Sequence, residues 1–264
     1  MGPSLGFTVR VLGVPVSVGP AIAIGLVGMG LLSGLTAEFL VAWVILGFVA
    51  LLLHELGHAV AFRRYGVDSS ISFWLFGGFT IPNDQEAASR LSDRQMLVVA
   101  VSGPLVGIVI GGMMLALWPA LDSADRSVRV LAFLWTFVNL GWAIFNLLPI
   151  GSLDGGRALG HLAGAVFGRA GRTIALAVGI VASVIIAAVA VDLRMYSIAF
   201  IAVIFGLLNP DAYGQLLDAV RPARASRRLS EGARGLEVWT DGDERKALSE
   251  DRSSIYRGDP RWPH

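Results

Sequence analysis

Two histidines with a glutamate between them lie inside a segment that is long and apolar enough to cross a membrane. The motif His54-Glu55-Leu56-Gly57-His58 places the two imidazoles four residues apart, on one face of a helix. This spacing suits a zinc ion, and the glutamate can act as general base towards a zinc-bound water. Residues 39–62 are otherwise apolar, and ionisable side chains in hydrocarbon are costly unless they pair, bind metal or face a cavity. The motif therefore predicts a metal site rather than an idle pair of structural histidines.

Asp154 is the best candidate for a third ligand, because a catalytic zinc site usually takes three protein ligands. The chain has no cysteine, so every ligand must be His, Asp or Glu. Pro149 and Gly151 are expected to break the fourth apolar run at the depth of the histidine pair, where an unwound segment can turn Asp154 towards the metal. Asp154 could instead cap the following helix, but the matching depth favours the ligand. Of the other histidines, His161 is expected in a loop or an interface, and His264 ends the tail.

The composition and the apolar runs predict an all-α polytopic membrane protein. Hydrophobic residues make up 55% of the chain and charged residues 16%, with a mean hydropathy of +0.67, which is too apolar for an ordinary soluble domain. About six runs have transmembrane length: residues 16–35, 39–62, 96–118, 128–148, 173–191 and 195–208. We expect a transmembrane domain over residues 1–209 and a cytoplasmic, partly disordered tail over residues 210–264. Residues 1–20 lack the pattern of a removable signal peptide, and none is expected.

A short segment after the second run predicts a membrane-embedded β-segment. Residues 70–80 are rich in β-branched and aromatic residues and contain a glycine pair, which favours a strand pair or a re-entrant loop over a helix. A strand at membrane depth needs protein or water to satisfy its backbone. In the third run, Gly103, Gly107 and Gly111 form a stripe of small residues that would let another helix press against the metal site.

The distribution of arginines predicts the orientation in the membrane. The loops after the second and fourth runs and the tail carry Arg63, Arg64, Arg90, Arg94, Arg157, Arg169, Arg172, Arg221, Arg224, Arg227 and Arg228. The alternate loops, around residues 37–38, 122–129 and 192–194, are short or carry acids beside their arginines. The positive-inside rule then places both termini in the cytoplasm, as in a bacterial-type plasma membrane, with the histidines roughly 8 to 14 Å from the cytoplasmic helix end.

The motifs together resemble the site-2 protease family of intramembrane zinc metalloproteases. An intramembrane H-E-L-G-H at residues 54–58 is followed, after further spans, by N-x-x-P-x-x-x-L-D-G-G at residues 146–156. The resemblance covers roughly residues 7–208. It implies one zinc ion per chain, held by His54, His58 and Asp154. It also implies that Glu55 is the catalytic base.

By the same resemblance, two further groups surround this centre. Asn146 matches an asparagine that stabilises the transition state, and Asn139, seven residues earlier on nearly the same helix face, is its rival for that role. Gly77, Gly78 and Phe79 fall where the family has a β-segment that receives substrate. An extended substrate could pair with this segment by strand addition, although the segment could instead plug the interior around the site.

The resemblance implies hydrolysis of a peptide bond in or near the transmembrane segment of a single-pass membrane protein, such as a membrane-anchored regulator of transcription. The lipid bilayer is the other expected partner, and the net charge of +1 gives no reason to expect nucleic acid. The alternatives are a metal-ion transporter that uses the same His/His/Asp site, and an inactive scaffold. A transporter usually shows internal repeats, and the sequence has no convincing one.

Two features depart from the family pattern. The Gly-Pro motif of the third run often continues to an asparagine, whereas here Gly107 follows Leu105-Val106. A polar contribution from the third run is therefore not expected. The chain also resembles the compact form of the family, without PDZ or CBS domains, so regulation through such a domain is not expected.

Overall fold

The structure is a computed structural model that describes residues 6–75 and 77–194, together with Ala199, Ala202, Val203 and Gly206. These residues belong to one unit. Seven helices lie within residues 6–194: α1 (Pro20–Leu32), α2 (Ala37–Arg64), α3 (Gln85–Ser89), α4 (Asp93–Ala116), α5 (Arg126–Thr136), α6 (Trp142–Asn146) and α7 (Asp154–Asp192). A single π-helical turn, Phe137–Gly141, joins α5 to α6, and a 3₁₀ turn, Trp118–Leu121, follows α4.

Four strands form one mixed sheet beside the helices: β1 (Phe7–Val11), β2 (Val14–Val18), β3 (Ser69–Trp74) and β4 (Gly77–Pro82). Their order is β1-β2-β3-β4, with β2 and β3 parallel and the other two pairs antiparallel. Side chains of β2 and β3 pack with those of α1 and α2 in one core, which includes Val16, Ile22, Leu56 and Ile71. The hairpin of β3 and β4 confirms the strand pair predicted over residues 70–80, and it lies against the helix that carries the histidines.

Among the residues that the structure describes, four helical stretches are long and apolar enough to cross a membrane: Ala37–Arg64, Asp93–Ala116, Arg126–Asn146 and Asp154–Asp192. They correspond to the second, third, fourth and fifth predicted runs. The predicted first run is instead strand β2 followed by α1, whose 13 residues extend only about 20 Å, less than the roughly 30 Å of a hydrocarbon core. The predicted sixth run, 195–208, lies outside the described residues except for four helical positions, and the predicted tail lies outside them entirely.

The long helix α7 reverses direction within its length. Gly168 has φ 60° and ψ −138°, which is not helical backbone. A Cβ atom built on Gly171 would lie 2.1 Å from the carbonyl oxygen of Ala163, a contact that a continuous helix does not allow. The chain therefore folds back at Gly168, and residues 154–167 and 169–192 form two helices packed side by side. The second of these contains the predicted fifth run.

The crossing of α2 and α4 brings two backbones into close contact. A Cβ atom on Gly57 would lie 2.7 Å from the carbonyl oxygen of Ser102 and 3.1 Å from the Cα atom of Gly103. Further along α4, Cβ atoms on Gly107 and Gly111 would meet Asn139 and Leu140 of the π-turn at 2.8 and 2.6 Å. The glycine stripe predicted in the third run thus packs against the histidine helix at one end and against the α5–α6 segment at the other.

Candidate metal centre and cavity

Three predicted ligands from two helices meet in the interior. His54 and His58 occupy successive turns of α2, and Asp154 is the first residue of α7. Oδ2 of Asp154 lies 3.0 Å from Nε2 of His54 and 3.2 Å from Nε2 of His58, and the two Nε2 atoms are 3.3 Å apart. All three side chains are buried. The carboxylate of Asp154 thus faces the histidines, and its helix has no side-chain cap hydrogen bond, so the geometry does not match the capping alternative.

The chemistry of these atoms fits a metal ion. Nδ1 of His58 donates a hydrogen bond to the carbonyl oxygen of Val99 at 2.7 Å, because a carbonyl can only accept. In the neutral imidazole, Nε2 of His58 then carries a lone pair, and it lies beside a carboxylate oxygen that also accepts. Two buried acceptors in contact require a cation or a proton between them. Ligands at about 2.0 Å from a tetrahedral zinc ion are themselves about 3.3 Å apart, close to the separations seen here.

Gly103 of helix α4 lies directly against the two histidines, because it has no side chain. A Cβ atom on Gly103 would lie 2.3 Å from Nε2 of His58 and 2.8 Å from Nε2 of His54. The hydrogen-bond acceptor for His58, the carbonyl of Val99, belongs to the same helix one turn earlier. The α4 backbone therefore both orients one histidine and leaves room for the ligand atoms of the pair.

Two residues of strand β4, Gly78 and Thr80, contact the side chain of Glu55. The hydroxyl of Thr80 lies 2.7 Å from Oε2 of Glu55 and 3.0 Å from the backbone carbonyl oxygen of Glu55, both acceptors. A Cβ atom on Gly78 would lie 2.6 Å from Cγ and 3.0 Å from Cδ of Glu55. Gly78 and Thr80 are two residues apart, so they face the same side of the strand. Sequence reasoning missed Thr80 because its partner lies on another element, 25 residues away.

A cavity of about 1160 Å³ opens beside the metal centre. Its lining includes the two histidines, Glu55, Asp154 and all six residues of β4, among them the predicted substrate-binding residues Gly77, Gly78 and Phe79. In the described sheet β4 pairs only with β3, so its other edge is unpaired. The structure therefore brings the metal centre, the glutamate and a free strand edge to one cavity.

The two asparagines predicted as rivals differ in position. Asn146 lines the cavity, and its Nδ2 donates to the carbonyl of Trp142 at 3.0 Å. Asn139 lies in the π-turn, donates to the carbonyl of Trp135 at 2.9 Å, and is absent from the described lining of the cavity. The extra residue of a π-turn rotates the helix that follows, so two residues seven apart no longer share a face.

His161 lines the cavity from α7 and belongs to a separate polar cluster. Its Nδ1 lies 2.9 Å from Oδ1 of Asp93, at the start of α4. Nη2 of Arg172 donates to both carboxylate oxygens of Asp93, at 3.0 and 2.9 Å. Because His161 precedes Gly168 and Arg172 follows it, Asp93 joins both parts of α7 to α4. The sequence predicted His161 in a loop or an interface; it lies within helix α7, and the sequence gave no signal of these partners. His264 lies outside the described residues.

Comparison with known proteins finds a matching peptidase family and similar proteins that are named as zinc metalloproteases. The sequence model of peptidase family M50 matches residues 41–122 and 120–190, more than half of the chain. Rip3 of Mycobacterium tuberculosis, whose name places it among zinc metalloproteases, is 36% identical over 140 residues, which are 48% of this chain and 35% of that protein. The zinc metalloprotease MJ0392 of Methanocaldococcus jannaschii is 27% identical over 205 residues, 76% of this chain and 53% of that protein.

A solved structure, the site-2 protease from Methanocaldococcus jannaschii, matches with a TM-score of 0.53 at 21% identity. The match covers 76% of this chain and 92% of that one, and at this identity it shows the fold alone. The chain spans about a third to a half of the length of the curated relatives it matches.

Proposed function

The chain belongs to peptidase family M50, and we propose that it is an intramembrane zinc metalloprotease, which hydrolyses a peptide bond in or near the transmembrane segment of a membrane-bound substrate. The observation that carries the proposal is the convergence of two histidines, an aspartate and a glutamate, among apolar helices, on a cavity with a free strand edge. Ionisable groups are seldom placed in a membrane interior without function. The family and the glutamate favour hydrolysis over metal transport, in which Glu55 has no required role.

In this proposal His54, His58 and Asp154 hold one zinc ion per chain. A bound zinc ion supplies the Lewis acidity that polarises the scissile carbonyl and the attacking water. Glu55 takes the proton from the water, and the amide of Asn146 donates a hydrogen bond to the developing oxyanion. The position of Asn146 in the cavity lining supports it over Asn139 for this role.

A membrane-spanning substrate must expose its backbone before it can be cleaved. A helical substrate has its peptide groups bonded within the helix, so it must unwind locally before a carbonyl can reach the site. The free edge of β4 offers backbone groups with which an unwound segment can pair, beside Gly77, Gly78 and Phe79. The proposed substrate is a single-pass membrane protein, for example a membrane-anchored regulator of transcription. The arginine distribution supports cleavage near the cytoplasmic side.

The proposal is tested with the full chain, purified and reconstituted in lipid vesicles. Two probes are offered, a single-span peptide with an Asn-Gly pair in its span and unfolded casein that carries quenched fluorophores. We expect zinc-dependent cleavage, and we expect Glu55→Gln to lower the rate by about 10²- to 10⁴-fold because the general base is lost. The zinc content, measured by mass spectrometry, should remain that of the unaltered chain.

Glu38→Gln is the matched control, because Glu38 is an exposed glutamate near the start of the same helix. It should cleave both probes at the unaltered rate. Cleavage by Glu55→Gln at the rate of the control would contradict the proposal, and so would cleavage that persists after zinc has been removed by a chelator. The natural substrate can then be sought among membrane proteins that lose a cytoplasmic fragment in cells with the unaltered chain but not in cells with Glu55→Gln.

A further inference from the structure

Strand β4 holds the proposed general base in place through one hydroxyl. We propose that Thr80 is a positioning residue, whose hydroxyl fixes the carboxylate of Glu55 beside the metal centre; this inference rests on the proposed function. Thr80 and Glu55 lie on different elements, and their side chains meet at 2.7 Å. A hydrogen bond from a neutral donor to a carboxylate is among the stronger kinds in proteins.

The hydrogen bond fixes one oxygen and leaves the other available. Oε2 of Glu55 accepts from Thr80, whereas Oε1 makes no hydrogen bond to the part of the chain that the structure describes. Glu55 also lines the cavity, so Oε1 is the oxygen that can meet a water or a substrate there. A carboxylate held by one oxygen loses much of its rotational freedom, and a base held in one orientation takes a proton more readily than a mobile one.

Gly78 acts on the same side chain by leaving space. A Cβ atom at this position would lie 2.6 Å from Cγ of Glu55, so the glutamate packs directly against the strand backbone. Gly78 and Thr80, two residues apart on the same strand face, thus contact the glutamate together: Gly78 lies against its Cγ atom, and Thr80 bonds its carboxylate. A side chain at Gly78 would displace the carboxylate even if the hydroxyl remained.

The same strand is the one whose outer edge is free in the cavity. A substrate that pairs with β4 is therefore held by the backbone of the strand that also orients the base. The position of β4 therefore determines both where a paired substrate lies and how the carboxylate of Glu55 is oriented. Loss of the Thr80 hydroxyl is therefore expected to lower the rate of the reaction and to leave the binding of substrate unchanged.

Three variants of the full chain in vesicles test this assignment, with labelled unfolded casein as the probe because it needs no helix unwinding. Thr80→Val keeps the shape of the side chain and removes the hydroxyl, and kcat is expected to fall about ten- to a hundredfold with KM unchanged. Thr80→Ser keeps the hydroxyl and is expected to restore kcat to within about threefold of the unaltered chain, on the scale of a retained hydrogen bond. Zinc content is measured for each variant.

The outcomes separate this inference from the proposed function. If the unaltered chain cleaves neither casein nor the single-span peptide, the proposed function fails. If the unaltered chain cleaves casein and Thr80→Val matches it in kcat, or Thr80→Ser is as slow as Thr80→Val, the role of Thr80 is overturned while the proposed function stands. Should Thr80→Val not fold, Thr80→Ala, which also lacks the hydroxyl, takes its place; a kcat equal to that of the unaltered chain would overturn the inference, and a lowered kcat that Thr80→Ser restores would support it.

Discussion

At the level of single residues, each side chain of the metal centre and its base is fixed by a contact with another element. His58 of α2 is oriented by the carbonyl of Val99 on α4, and Glu55 of α2 by the hydroxyl of Thr80 on β4. Asp154 reaches both histidines from the start of α7. Because no single element holds the site, its geometry depends on how closely these elements approach, and that distance is set by residues without side chains.

Gly103 provides a direct test of this dependence. Gly103→Ala would place a Cβ atom 2.3 Å from Nε2 of His58, so the imidazole must leave the position in which it faces the other ligand atoms. We expect the zinc affinity of the full chain to fall by about 10- to 100-fold, as when other supporting contacts of metal ligands are removed. Zinc affinity is measured by competition with a fluorescent chelator, independently of activity.

Gly112→Ala is the matched control for this change. Gly112 lies on the same helix, and a Cβ atom there would meet no atom within 4 Å. The alanine should leave zinc affinity unaltered and stabilise the helix by up to about 1 kcal/mol. Equal zinc affinities of the two variants would show that α4 does not confine the histidines.

Some residues of the site can be predicted from sequence, because their spacing along the chain or a nearby helix break indicates where their side chains lie. The spacing of four from His54 to His58 determines a shared helix face, and Pro149 with Gly151 signals the break before Asp154. The choice between Asn139 and Asn146 could not be predicted, because a π-turn leaves no spacing signal and alters which face each residue occupies. Thr80 could not be found either, since its contact depends on how a strand packs on a distant helix.

At the level of elements, the reversal at Gly168 ends a short helix within α7. This helix carries both Asp154 and the cavity-lining His161. Asp154 starts this helix, and the backbone of Gly168 ends it. Asp93 then bonds His161 within the helix and Arg172 just beyond its end, so the start of α4 is tied to both sides of the reversal. The helix that carries the third ligand candidate therefore ends at a turn made by one residue, Gly168.

Gly168→Ala tests the turn through its backbone alone. A Cβ atom at Gly168 would meet nothing within 4 Å, so only the φ of 60° and ψ of −138° oppose a side chain. Such a conformation costs about 1 to 3 kcal/mol for a residue other than glycine, and the free energy of unfolding should fall by that amount. Unfolding of the full chain is followed by circular dichroism during titration with dodecyl sulfate.

Gly160→Ala, in the helix before the turn, is the control for Gly168→Ala. Its Cβ atom would also meet nothing within 4 Å, but its φ is not positive. The alanine should raise the free energy of unfolding by up to about 1 kcal/mol, as expected in a helix interior. If both variants change stability in the same direction, the turn at Gly168 is not strained by a side chain.

At the level of the whole molecule, hydropathy predicts the long apolar helices well and the structure of the amino-terminal part poorly. The predicted runs two to five coincide with helices because each is apolar over more than 18 residues. Residues 16–35 have a similar composition, but β2 pairs in parallel with β3, and the paired residues, such as Val16 and Ile71, lie 55 positions apart in the chain. Hydropathy cannot distinguish an apolar strand followed by a short helix from one long helix, because the strand is determined by a distant partner.

The orientation of the molecule decides from which side of the membrane water reaches the cavity. Ser89 is an exposed residue of the cavity lining and precedes α4, and Ser123 is an exposed residue that follows it. Because α4 has 24 residues and extends about 36 Å, it can carry the chain from one membrane face to the other. The arginines that flank Ser89 predict that its side is cytoplasmic.

The absence of cysteine from the sequence makes this orientation directly measurable, because one introduced thiol can be labelled alone. In intact cells, a maleimide that cannot cross membranes should label Ser123→Cys and not Ser89→Cys, and inside-out vesicles should give the reverse. The opposite pattern would mean that the cavity opens away from the cytoplasm. Labelling of both variants from one side would mean that α4 does not cross the bilayer. That result would contradict the proposal that the reaction takes place within the membrane.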